Sequence, residues 1–65
     1  MKRRDLIGHL TKEGCILRRE GSKHSVFFNP ENGHLATVPR HREIEIILAK
    51  KICRQLDISL PKAGA

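Results

Sequence analysis

The sequence predicts an α+β domain that runs helix, three antiparallel strands, helix. Three observations carry that order. Apolar residues recur at helical spacing toward both ends of the chain, short extended segments fill its middle, and two turn signals, Gly21-Ser22 and Pro30-Glu31-Asn32-Gly33, separate those segments. Two amphipathic helices need an apolar surface and a short meander has one face to offer, so both helices are expected on one side of the sheet.

The first helix is expected over residues 2–13, where Leu6, Ile7 and Leu10 fall on one face and Gly14 is placed to end it. Residues 15–20 form the first strand, and Gly21-Ser22 supplies a two-residue turn with glycine first, as a type II′ hairpin prefers. Ser25, Val26, Phe27 and Phe28 suit a second strand over residues 23–29. The third strand spans residues 34–38. Pro39 has no N–H to give a ladder and closes it, which leaves Arg40, His41 and Arg42 in an exposed loop. From residue 43 onward Ile44, Leu48, Ile52 and Leu56 recur every four residues, with Ile47 beside them, and mark the buried stripe of a second helix. Lys50, Lys51 and Arg54 lie off that stripe or at its margin, where positive charge suits the helix dipole. The expected core holds Leu6, Leu10, Leu48 and Ile52. One domain covers residues 1–58, and a flexible tail is expected over 59–65, where Pro61, Gly64 and small residues show no periodicity.

A chain of 65 residues buries only about 60% of the surface that its unfolded form exposes. Its core is thin, so any active site belongs on the surface rather than in a deep pocket of roughly 300 Å³ or more. Thirteen Lys and Arg against seven Asp and Glu give a net charge of +6. That charge attracts polyanions, nucleic acid foremost, though it also serves solubility or an acidic protein partner. Two Phe and no Trp or Tyr leave no platform for stacking unpaired bases, which favours recognition of backbone and shape. Cys15 and Cys53 belong to no close Cys or Cys/His pair of the zinc-binding kind. Reduced thiols are the simpler reading, with a single disulfide left open. No apolar run approaches the roughly 18 residues needed to span a bilayer. Asp5, Gly8 and His9 interrupt what would be an export signal after the basic start, so a soluble cytoplasmic protein without membrane contacts is expected.

Histidine is the natural general acid or base near neutral pH, and the chain has four, His9, His24, His34 and His41. His9 sits in a helix beside apolar positions, and His34 opens a strand without an obvious companion. His24 differs, because it follows the Gly21-Ser22 turn and stands at the mouth of the sheet beside Lys23. His41, between Arg40 and Arg42, suits phosphate binding or a second proton transfer. Ser22 reads as a turn residue first and a phosphate contact second. No Gly-rich phosphate loop, HExxH pattern or paired carboxylates are present, and no metal or cofactor is expected.

Gly21-Ser22-Lys23-His24 is followed by Phe28-Asn29-Pro30 and then by Val38-Pro39-Arg40-His41-Arg42-Glu43-Ile44. With these motifs in this order the chain resembles the HicA toxins of prokaryotic toxin-antitoxin modules. The resemblance covers about residues 2–60 and includes the basic closing helix around Ala49-Lys50-Lys51-Ile52-Cys53. At Ile46-Ile47 the chain departs from relatives that often carry Gly or another helix-start residue. The resemblance implies a fold like the double-stranded-RNA-binding domain, an endoribonuclease that cleaves mRNA, His24 as its catalytic residue, and a HicB-type antitoxin as partner. RNA brings its own nucleophile, the 2′-hydroxyl, so the protein has to supply a base, an acid and positive charge around the phosphate. The residues expected to hold RNA are Gly21, Ser22, Lys23, Arg40, His41, Arg42, Lys50 and Arg54. From the residues alone two other readings stay open: a non-catalytic RNA-binding module of the same fold, and an interaction module whose basic face docks an acidic protein.

Overall fold

The structure, a computed structural model, describes residues 1–61. Leu6 and Leu10, one turn apart, supply the buried face of the first helix, α1 (Arg3–Lys12). Gly14 ends it with a φ of 92°, in the left-handed region that glycine enters without a Cβ clash. Its N–H donates to the Thr11 carbonyl at 3.0 Å, and the Cys15 N–H donates to that of Leu10 at 2.9 Å. This Schellman closure turns Cys15 into the core.

Three strands follow, β1 (Ile16–Glu20), β2 (His24–Phe28) and β3 (Leu35–Pro39), antiparallel and in that spatial order. Ser25 and Phe27 of β2 pair with Val38 and Ala36 of β3, and all four are buried. The intervening residues face the other way. The edge strand β1 is exposed along its length, and a bulge at Arg18 shifts its register between Leu17, opposite Phe27, and Arg19, opposite Val26. The last element, α2 (Ile46–Gln55), joins α1 on the buried face, where Leu6, Leu10, Phe27, Val38, Ile52 and Leu56 belong to one cluster. The Cα atoms fill a slab of 28 × 27 × 16 Å. The predicted element order and fold class are those observed.

The second helix differs from expectation in its start and its buried stripe. It begins at Ile46 rather than at residue 43, because the preceding segment runs beside the start of the chain: the Ile44 N–H donates to the Met1 carbonyl at 2.8 Å, and Lys2 bridges Glu43. Ile44 is buried from outside the helix. The helical face is then set by Ala49, Ile52, Cys53 and Leu56, the i, i+3, i+4, i+7 pattern. Leu48, expected in the core, is 36% exposed, and Ile47 is 76% exposed. A strict four-residue spacing drifts by about 40° per step on a helix of 3.6 residues per turn, so a stripe counted from Ile44 cannot stay buried.

At the far end of β2 the turn before β3 docks on the end of α2. The Asn29 and Asn32 amides both donate to the Leu56 carbonyl, at 2.8 and 3.0 Å, and so satisfy an oxygen that the helix leaves without an internal partner. Cys15 and Cys53 are free and buried. Burial pushes both thiols up, Cys53 to about 11 with Cys15 and Glu13 adding to the effect, so they act as protonated core side chains. Of the segment expected to be a flexible tail, the Ser59 carbonyl meets Nε2 of His9 at 2.7 Å and Pro61 is buried; residues 62–65 lie outside the described residues. No described helix is long and apolar enough to cross a membrane.

Candidate functional site

The hairpin Gly21-Ser22-Lys23-His24 joins β1 to β2, and its geometry corrects the expected turn. Gly21 lacks the positive φ of a type II′ turn; its N–H donates to the His24 carbonyl at 2.8 Å, with Ser22 and Lys23 at the tip. A Cβ on Gly21 would lie 2.9 Å from that same carbonyl oxygen. Crowding by the His24 backbone, rather than handedness, therefore requires glycine here. His24 opens β2 opposite Pro39 and is exposed. Because Ser25 points into the domain, alternation puts His24 on the other face of the sheet with Val26 and Phe28.

Behind the hairpin, on the helix side, lies a polar network. Arg3 of α1 donates from Nε to the Pro39 carbonyl at 2.9 Å and from Nη2 to Oγ of Ser25 at 2.7 Å. The fully buried Ser25 hydroxyl donates to Oε1 of Glu20. Arg40 lies 3.4 Å from the same carboxylate oxygen and donates from Nη1 to the Gly21 carbonyl at 3.0 Å, while its backbone N–H reaches the Lys23 carbonyl at 3.2 Å. Helix α1, β1, β2 and the loop after β3 are thus tied around the four residues that carry His24. Arg3, Glu20 and Ser25 were not among the sequence candidates. The available signal was alternation, since a serine next to an outward His24 must face inward and find partners there.

A groove of about 460 Å³ opens beside this network, lined by Lys2, Arg3, Arg4, Arg40, Arg42 and Glu43. It forms because the start of α1 and the loop after β3 run side by side, with the Arg3 N–H donating to the Arg42 carbonyl at 2.8 Å. Sequence reasoning missed Lys2, Arg3 and Arg4. Their signal was one of sign, because cations in the first turn of a helix oppose its dipole and do not serve its stability. On the uncovered face the Arg18 guanidinium stands 5.1 Å from the centroid of the Phe28 ring. The bulge lets Arg18 and Arg19 share that face with His24, which strict alternation would forbid.

Of the sequence candidates, the structure joins Gly21, Lys23, His24 and Arg40 by hydrogen bonds and brings Arg42 into the groove. Ser22 and His41 are exposed at the hairpin tip and in the loop after β3. Lys50 and Arg54 sit along α2, outside the groove lining. Arg54 stands two residues before Leu56, whose carbonyl Asn29 caps, and so lies toward the end of β2 away from His24.

A family model described as the HicA toxin of bacterial toxin-antitoxin modules matches residues 3–58. That span takes in the hairpin, the polar network and all of the groove except Lys2. Comparisons with curated proteins and with solved structures give no match.

Proposed function

The chain belongs to the HicA toxin family of bacterial toxin-antitoxin modules, and from that premise we propose that it is an endoribonuclease that cleaves mRNA through His24 and is restrained by a HicB-type antitoxin in the cytoplasm. The observation that carries this reading is His24 itself. It stands exposed at the mouth of the sheet, its backbone fixed by Gly21 and Pro39, with Arg40 fastened beside it. A proton-transfer group has to be reachable, and this histidine is exposed on a backbone that the hairpin and β3 fix.

In the proposed reaction the imidazole of His24 accepts the proton of a ribose 2′-hydroxyl. The 2′-oxygen bonds to the adjacent phosphorus, the bond from phosphorus to the 5′-oxygen breaks, and that oxygen takes up a proton as it leaves. Lys23 supplies positive charge where the phosphate gains it, and His41 positions the phosphate or delivers the second proton. The nucleophile comes from the substrate, so the reaction asks for no metal.

The test replaces His24 by Ala and follows RNA cleavage in EDTA. Loss of a general acid-base group removes about 10² to 10⁴ in rate, whereas truncating an exposed side chain stays within about 0.5 kcal/mol of wild-type stability. Cleavage and growth arrest should disappear while folding and antitoxin binding persist. His41→Ala should show a smaller rate loss together with weaker RNA binding. If His24→Ala cuts RNA at the wild-type rate, or fails only because it unfolds, His24 is not the catalytic residue and the chain reads instead as an RNA-binding module.

A further inference from the structure

We infer that the groove between the start of α1 and the loop after β3 is a second RNA site, in which Lys2, Arg4 and Arg42 hold the phosphate backbone of the strand beyond the point of cleavage. The inference rests on the reading of RNA as substrate and adds to it a site outside the hairpin.

Five cations and a single carboxylate, Glu43, line the groove. Two of the cations are already committed: Arg3 holds Ser25 and the Pro39 carbonyl, and Arg40 holds the Gly21 carbonyl and Glu20. Lys2, Arg4 and Arg42 make no ion pair or side-chain hydrogen bond among the described residues. Like charges drawn together from two separate segments repel one another, and Lys2 and Arg4 also oppose the dipole of the helix they begin. Among the described residues no side-chain bond of Lys2, Arg4 or Arg42 offsets that repulsion. A polyanion removes both penalties at once.

The lining also selects the kind of polyanion. Protein interfaces are built around apolar or aromatic residues at their centre, and no such residue lines this groove, whose six lining residues are all charged. Arginine forks match phosphate oxygens in pairs. The exposed apolar residues Ile16 and Leu35, which would suit a protein partner, belong to the strands. The groove is continuous with the hairpin through Arg40, whose guanidinium and backbone N–H bind Gly21 and Lys23. Arg40 thus links the groove to the hairpin that carries His24.

The experiment measures binding of a single-stranded RNA of about 20 nucleotides to His24→Ala protein with and without Lys2→Gln and Arg4→Gln, across a salt series. Removing two phosphate-binding cations should reduce the slope of log affinity against log salt by about 1.4, at ~0.7 per neutralised phosphate, and weaken binding roughly tenfold at physiological salt. The thermal midpoint should be no lower than in the parent, because both changes remove cations from the positive end of a helix. Wild-type affinity and slope in the double variant, or no RNA binding by the parent, would overturn the inference. So would a loss of antitoxin binding with RNA binding unchanged, which would make the groove a protein surface. Failure of the ribonuclease reading shows separately, as protein with His24 intact that leaves RNA uncut.

Discussion

The two ends of β2 are built in opposite ways. At the His24 end the chain gathers exposed cations over a groove, and its anchoring contacts are charged: Arg3 to Ser25, Arg40 to Glu20 and Gly21. At the Asn29 end the anchors are neutral amides, one of them buried, that close on the Leu56 carbonyl, and the cleft around them, about 320 Å³, is lined by Glu13, Glu31 and Asp57. Both ends carry some charge of the wrong sign for the helix termini beside them, although Asp5 in the first turn of α1 and Lys12 and Arg54 in the last turns have the favourable sign. Lys2, Arg3 and Arg4 stand at the start of α1, while Glu13 and Asp57 stand at the ends of α1 and α2. The groove lining is mostly cationic, whereas the far cleft is lined by three carboxylates and no Lys or Arg. That contrast favours a polyanion at the groove over the far cleft.

Damage at the two ends should have different consequences. The largest effect after loss of His24 itself is expected from Gly21→Ala, whose Cβ would stand 2.9 Å from the His24 carbonyl oxygen. The hairpin has to yield by several tenths of an ångström, and misplacement on the order of 1 Å at a reacting group lowers rates by about 10². RNA cleavage should therefore fall about tenfold while the protein stays folded, as read by circular dichroism. Wild-type cleavage by Gly21→Ala would show that the fit between Gly21 and His24 is incidental.

Asn29→Ala is the counterpart at the far end. It leaves the Leu56 carbonyl to Asn32 alone and removes a buried amide whose Oδ1 also accepts the Glu31 N–H at 3.0 Å. Loss of one partner in a buried hydrogen bond costs about 1–3 kcal/mol, a large share of the stability of so small a domain. Urea unfolding should show that loss, and the cleavage rate measured well below the unfolding transition should stay within about twofold of wild type. A rate loss as large as that of Gly21→Ala, with stability unchanged, would mean that the two ends are not independent.

The same division explains what the sequence discloses. Leu6, Leu10 and Gly14 are legible because helical period and a left-handed stop are local properties, and Pro39 ends β3 for an equally local reason. Leu48 misleads because Ile44, which starts the apparent stripe, is buried by its pairing with Met1 and not by the helix. The hairpin is visible as a motif, yet the purpose of Gly21 is hidden, since only the folded backbone shows that the His24 carbonyl crowds it. The groove is less legible still. Arg4 and Arg42 come together only because the loop after β3 pairs with the start of the chain, and a single sequence carries no mark of that pairing.

The smallest effect should come from the end of α2, where the chain offers an internal control. Both helices close in the same way: the residue after the cap is left-handed, its N–H bonds to the carbonyl three residues back, and the next N–H reaches five back. In α1 that residue is Gly14; in α2 it is Asp57, with a φ of 56°. A residue with a Cβ is disfavoured there by about 1–2 kcal/mol, and the carboxylate also meets the negative end of the helix dipole. Against this, glycine loses more conformational freedom on folding, by about 0.5–1 kcal/mol. The net for Asp57→Gly is a gain of about 0.5–1 kcal/mol, or a rise of about 0.5 M in urea midpoint for a slope near 1–2 kcal/mol/M. Gly14→Asp should move the midpoint the other way by at least as much. Since Asp57 lies beyond the reach of the groove and the hairpin, cleavage should not change with it. A lower midpoint for Asp57→Gly would mean that the aspartate makes up for its backbone strain through a local contact, and that the two helix ends are not equivalent.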